Sequence, residues 1–324
     1  VTTDSNGVTN WDNQWGSGAV SGVFQNDNNH KPAYGIPENN INFHPTVSFN
    51  GNEVLIQDGI GADQLHSEQN NAVFMVMESS SDSLSGSSAV TFYSINENSS
   101  TDRLRIHNEA SELINATDAV VAFPEVVGQI QIRSMFTKEI GSNTQGYFYL
   151  NGDSILSHNI GGDPTLSLLD AELGIGGIYT ISSSLPWTGN YIYGNIAEVL
   201  CYKETPSLAD LEKIHTYLAI KYGSHLAHDY VASDGAVIWN ATAMAAYHHN
   251  VAGIGIDSAS ALNQLQSMSN NADAILTIGL DSIATSNASH GSIFSADRNF
   301  MIWGSNNLGL DRTAYTTDID TVSY

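Results

Sequence analysis

Along the N-terminal two-thirds of the chain, short apolar runs alternate with stretches rich in Asn, Ser and Gly. NAVFMVMES (Asn71 to Ser79), AVTFYSI (Ala89 to Ile95), GQIQIRSMFT (Gly128 to Thr137) and GYFYLNG (Gly146 to Gly152) have strand length and are β-branched or aromatic. In the third run Ile130 and Ile132 alternate with Gln131 and Arg133, the period of a half-buried strand. Asn151-Gly152 supplies the two positive-φ residues of a tight hairpin turn. NIAEVLCY (Asn195 to Tyr202) is apolar on nearly both faces, as a central strand of a sandwich would be. Many short strands with little helix predict an all-β, antiparallel jelly-roll sandwich.

One helix interrupts this pattern. Pro206 ends the strand region, Ser207 is a good N-cap, and Asp210 stands where a capping-box partner belongs. Leu208, Leu211, Ile214 and Leu218 fall at helical spacing, and Gly223 is the stop. This predicts a terminal helix that lays an apolar stripe on the end or edge of the sandwich. Beyond it, YVASDGAVIWN, NVAGIGI, AILTIGL and FMIWGSNN are short strands separated by polar stretches. The pattern divides the chain into a jelly roll over residues 1–223 and a smaller β unit over 224–324.

Composition narrows the partners. The 324 residues hold 34 acids against 10 bases, a net charge of -24, which repels nucleic acid and anionic membrane surfaces. The excess acid has two readings: solubility or adaptation to salt, and a site or partner that uses Ca²⁺. The single Cys201 excludes an internal disulfide, and no apolar run is long enough to span a membrane. Val1 does not open a signal peptide, so the chain reads as a piece cut from within a longer one. Asn-x-Ser/Thr at Asn98, Asn115, Asn240 and Asn287 reads as turn chemistry.

YFYLNG, LGIGG and GNIAEVLCYKETPSLADLEKIHTYLAIKYG resemble segments of the concanavalin A-like, laminin G-like jelly-roll domains of bacterial secreted and surface proteins of adhesin type. WDNQWGSG (Trp11 to Gly18) and INFHPTVSFNG (Ile41 to Gly51) resemble the same domains, with Trp11 and Trp15 in packing roles. DGAVIWN, YHHNVAGIGIDSASALNQLQS and FMIWGSNN resemble the companion domain that often follows. The resemblance implies a strand ahead of the Trp-Asp segment and further strands after the companion. Neither is evident in the sequence, which again points to a piece of a larger polypeptide.

Laminarinase-like glycosidases on this scaffold need a Glu-x-Asp-x-(x)-Glu strand, and none is present. Glu109 and Glu112 read as a solvated face, and Glu198 as a structural carboxylate held by backbone or a neighbouring hydroxyl. His225, His228 and Asp229 have ligand-like spacing, as does His248-His249, but neither set has a diagnostic third partner, so an interdomain polar contact is preferred to zinc. The resemblance implies a rim calcium, for which Asp58, Asp63, Asp153 and Asp163 are the loop candidates. In SSSLPWTGNYIYG, Trp187, Asn190 and Tyr191 are candidate ligand-binding residues, set against a reading in which Trp187 packs under its loop. The reading that follows is a non-catalytic extracellular or cell-surface recognition module for glycan or peptide, with calcium assistance. A carbohydrate-active enzyme or its accessory domain, and a structural spacer of a surface fibre, are the alternatives.

Overall fold

The computed structural model describes residues 1–14, 22–57, 70–79, 91–96, 102–107, 110–115, 117–122, 127–159, 172–182 and 185–308; for 91–96, 102–104, 110–115, 117–122, 180–182 and 185–189 only the backbone is described. Strands are numbered in chain order. One antiparallel sheet has nine strands, in the spatial order β1 (Thr2–Asp4), β2 (Gly7–Asp12), β3 (Gly22–Phe24), β6 (Leu55–Gln57), β15 (Glu172–Ile175), β8 (Thr91–Asn96), β9 (Asp102–His107), β10 (Ala110–Asn115) and β11 (Thr117–Ala122). The other has seven: β14 (Asp153–Asn159), β13 (Asn143–Leu150), β12 (Ile130–Ile140), β7 (Ala72–Ser79), β18 (Tyr193–Tyr202), β5 (Val47–Asn50) and β4 (Ala33–Tyr34). A hairpin of β16 (Ile178–Ser182) and β17 (Leu185–Gly189) stands apart. The expected β-sandwich is what forms. The strand that the sequence reading found absent ahead of the Trp-Asp segment is present, since β1 precedes β2 and β2 carries Trp11 and Asp12.

The side-chain period explains how the sheets face each other. On β7, Val73, Met75 and Met77 point into a core shared with Val8, Val23, Leu55, Leu173 and Ile175 of the nine-stranded sheet. The alternate residues Ala72, Phe74 and Val76 belong to a second core on the opposite face. Both faces of the seven-stranded sheet are therefore covered, and β7 has no polar side to show. Burying each of its large side chains contributes roughly 1.5–3 kcal/mol. Asn151 and Gly152 sit at φ 49° and 83°, the turn the sequence predicts between β13 and β14.

β12 departs from its sequence reading. Its alternation suggested a polar outer face, yet Gln131 and Arg133 are 5% and 1% exposed. Arg133 reaches across the sandwich: Nε and Nη2 donate to Gln131 Oε1 (3.0 and 2.8 Å), and Nη1 donates to the carbonyl of His107 on β9. A buried guanidinium needs such acceptors, and its own strand and the opposite sheet supply them.

The helix α1 (Leu208–Tyr222) has the predicted caps. Ser207 Oγ accepts from Asp210 N (3.2 Å), and Gly223 is left-handed at φ 69°. Its position differs from expectation. It lies across the outer face of the seven-stranded sheet, not at its end or edge: Leu211, Leu218 and Ala219 share a core with Phe74, Ile132 and Phe136. Leu208 is 74% exposed, because the buried surface is set by two neighbouring layers and not by one stripe. The second layer is C-terminal. It comprises β19 (Tyr230–Val231) with β20 (Val237–Trp239), β22 (Leu262–Gln264) with β21 (His249–Asp257) and β25 (Phe300–Ser305), and β23 (Gln266–Met268) with β24 (Thr277–Gly279). Val251 and Leu262 complete the helix-centred core.

Polar groups fix the helix in this place. A β-bulge between Ile196 and Glu198 turns the carboxylate toward α1. There it accepts from Tyr217 Oη (2.8 Å) and Lys221 Nζ (3.0 Å), so the hydroxyl partner expected for Glu198 is Tyr217. Burial, then the Glu198 charge, pushes the Tyr217 phenol above its ordinary range. Asn42, at φ 46° in the turn between Ile41 and His44, clips three segments together. Its Nδ2 donates to the Lys221 carbonyl (3.0 Å) and Ser267 Oγ (3.0 Å), and its Oδ1 accepts from Met268 N (2.9 Å).

Three histidines line the same junction. His44 meets Gln264 Oε1 through Nε2 (2.7 Å), His215 meets Ser134 Oγ (2.9 Å), and the His225 ring lies 4.7 Å from that of His248. Burial lowers all three, to about 4, about 3 and about 4 respectively. Each is neutral when folded and titrates at its ordinary, higher value when unfolded, so the unfolded chain binds more protons below about pH 6.5. The stability these neutral rings contribute is complete above that pH and is lost as pH falls toward their folded values. The urea midpoint should drop between pH 7 and pH 5, less steeply in His44→Gln; a midpoint constant over that range contradicts the assignment.

Candidate functional site

At one end of the sandwich, three loops meet. The first follows β3. Gln25 is buried, its Nε2 donates to the Val54 carbonyl (2.8 Å), and its Oε1 accepts from Asp27 N (2.9 Å). Asp27 Oδ1 then accepts from Asn29 N (2.9 Å) and Nδ2 (3.0 Å), a self-bonded Asx turn. The second loop follows β5, where the buried Glu53 carboxylate gathers the N–H groups of Asn50 (2.7 Å) and Asn52 (3.2 Å). The two loops are sewn together: His30 Nδ1 bonds the Asn52 carbonyl (2.5 Å), Asn52 Nδ2 donates to the Asn29 carbonyl (2.8 Å), and Val54 N donates to the His30 carbonyl (3.2 Å).

The third loop joins β17 to β18 and carries the residues singled out in the sequence. Asn190 turns the chain at φ 52°, and Ile192 anchors it, buried in the sandwich core with its N–H on the Gly176 carbonyl (3.1 Å). Tyr191 is presented between them and stacks on His30, ring centroids 5.9 Å apart at 19°. Tyr193, at the start of β18, is 42% exposed and lies over Gly51. Asn190 and Tyr191 are thus brought into one rim. Trp187 is placed by its backbone alone, in β17 opposite Thr180. The sequence reading missed His30, Asp27 and Asn52, which come from loops some 140–160 residues away in the chain.

Of the four calcium candidates, the structure describes one. Asp153 is exposed at the start of β14, with three strands between it and β18. Asp58, Asp63 and Asp163 lie outside the described residues. Among the described residues no three His, Cys, Asp or Glu side chains converge as a metal site. The polar contacts of the histidine-rich segment lie within residues 224–324 and not between the two units as expected. Asp229 accepts from Asn240 Nδ2 (2.9 Å) and Ala241 N (2.7 Å), and Trp239 Nε1 donates to His248 Nδ1 (2.8 Å). Of the Asn-x-Ser/Thr sites, Asn240 does turn chemistry, its Oδ1 accepting from Ala243 N (2.7 Å), whereas the buried Asn287 ties distant segments together, accepting from Leu265 N (2.7 Å) and donating to the Asn263 carbonyl (2.8 Å).

A family model described as a domain of unknown function (DUF8202) matches residues 210–323. It begins inside α1 and takes in the C-terminal strands. No curated protein matches the chain. Among similar solved structures is a native heptameric SAP-like pentraxin from Limulus polyphemus, 12% identical, with TM-score 0.40 over 54% of this chain and 83% of that one. Another is the CBM40 of the Ruminococcus gnavus IT-sialidase bound to α2,3 sialyllactose, 14% identical, with TM-score 0.39 over 51% of this chain and 94% of that one. The receptor binding domain of a botulinum neurotoxin C/D mosaic serotype is 15% identical, with TM-score 0.41 over 59% of this chain and 46% of that one.

The rim's shape depends on Gly51. It sits at φ 94°, and a Cβ there would lie 2.1 Å from the Tyr193 ring. Gly51→Ala should cost about 1–3 kcal/mol through backbone strain and collision. Combining it with Tyr193→Ala removes the collision, so the double variant should be more stable than the sum of the single costs. Strictly additive costs in denaturant unfolding contradict the packing described.

Proposed function

We propose that this chain is a saccharide-binding module of an extracellular or bacterial cell-surface protein, and that it works by recognition and not by bond making. The observation that carries the reading is the rim itself: a His30–Tyr191 stack and the exposed Tyr193 set among Asp27, Asn52 and Asn190. Sugars present alternating C–H faces and hydroxyl edges. A site for them needs aromatic surface beside fixed polar groups, and the crosslinked loops supply both with little left to order on binding. Adhesion is the role that such a module serves on a surface. Calcium assistance, expected from the sequence, is read from the chelator arm of the test below.

A glycan array probed with the purified chain, with and without a chelator, tests the proposal. Binding should appear and should fall at least about tenfold in Tyr191→Ala, the loss of one aromatic contact of roughly 1.4 kcal/mol. Retention of signal under chelator separates the saccharide reading from calcium assistance. Absence of binding to any saccharide, or full binding by Tyr191→Ala, sinks it.

A further inference from the structure

The rim also carries information about which saccharides it accepts, an inference that rests on the saccharide reading above. His30 Nδ1 faces the Asn52 carbonyl, an acceptor only, so Nδ1 holds the ring hydrogen and Nε2 of the neutral ring is left as an acceptor. Nε2 lies 4.0 Å from Asp27 Oδ2, too far for a direct hydrogen bond. Asp27 spends Oδ1 on Asn29, and its side chain is 53% exposed. The result is two acceptors side by side, opening onto solvent beside an aromatic stack. Among the described residues, the nearest lysine in the sequence does not bring its charge to this spot. The side chain of Lys31, next in sequence, is 5% exposed, and its ammonium is held by Asp4 Oδ2 and Asn28 Oδ1 at 2.6 Å each.

From this geometry we infer that the His30–Asp27 acceptor pair takes two adjacent hydroxyls of a neutral saccharide, and that the rim discriminates against sialylated, uronic or sulfated sugars. Adjacent ring hydroxyls can each donate to one acceptor, while the C–H face of the sugar lies against the neighbouring tyrosine surface. A carboxylate or sulfate has no hydrogen to donate there and would face the Asp27 charge within a strongly acidic chain.

Titration calorimetry with matched oligosaccharides tests this. The probes are a neutral oligosaccharide with a free vicinal diol, the same compound O-methylated at that diol, and the same backbone carrying a uronic or sulfated unit. The neutral probe should bind at least about tenfold more tightly than either counterpart. Asp27→Asn keeps an oxygen for the Asn29 turn but can present a donor in place of Oδ2. It should weaken the neutral probe about tenfold and narrow the gap to the acidic one. Tighter binding of the acidic probe, or equal binding of the methylated one, overturns this inference and leaves the saccharide reading intact. No binding of any of the three overturns both.

Discussion

Burial of the seven-stranded sheet on both faces is the constraint from which the rest of the fold follows. A strand such as β7, with Val73, Met75 and Met77 on one side and Phe74 and Val76 on the other, cannot be left half covered. The nine-stranded sheet satisfies one face. The other would expose a contiguous apolar surface, and α1 is placed to cover it, aided by the C-terminal strands. This accounts for the one α-helix among the described residues, two-thirds of the way along a β chain. It is the layer between two β units, and its two buried flanks explain why Leu208, aligned with the predicted stripe, remains in water.

The same arrangement leaves the rim loops free to be polar. Their stability comes from below, through Ile192 and Ile196 in the sandwich core, and laterally, through side-chain bonds to backbone at Gln25, Asp27, Asn52 and Glu53. A rigid frame carrying hydrogen-bonded loops is a common way to hold recognition groups still without burying them. The left-handed residues divide along the same lines. Asn190 shapes the rim, whereas Asn42 and the adjoining Phe43, at φ 69°, shape the junction. Strain at the second position is offset by the bonds that Asn42 makes on either side of the helix terminus.

What the sequence discloses is local. The Asn151-Gly152 turn, the Ser207 cap, the Gly223 stop and the main strand runs all express backbone preferences that need no distant partner. What it hides depends on pairing across the chain. Arg133 looks like a solvent-facing strand residue because its acceptors, Gln131 apart, come from β9. Tyr191 could be singled out from its Pro- and Gly-rich setting, but His30 and Asp27 carry no signal in a turn whose residues are what any Asx turn would use. The Asx pattern at Asp27 to Asn29 was readable as a turn, and only register across the sandwich end makes it part of a site.

The central claim is that the sandwich, the helix and the C-terminal strands form one cooperative body clipped at Asn42. Native-state amide hydrogen exchange of β7 and β21 tests it most directly, comparing the parent chain with Asn42→Gly, which keeps the left-handed turn and removes only the side chain. The account predicts equal opening free energies in the two strands of the parent, and a common fall of about 2–4 kcal/mol in the variant, as buried partners lose their bonds. Loss of protection in β21 while β7 stays unchanged would contradict it.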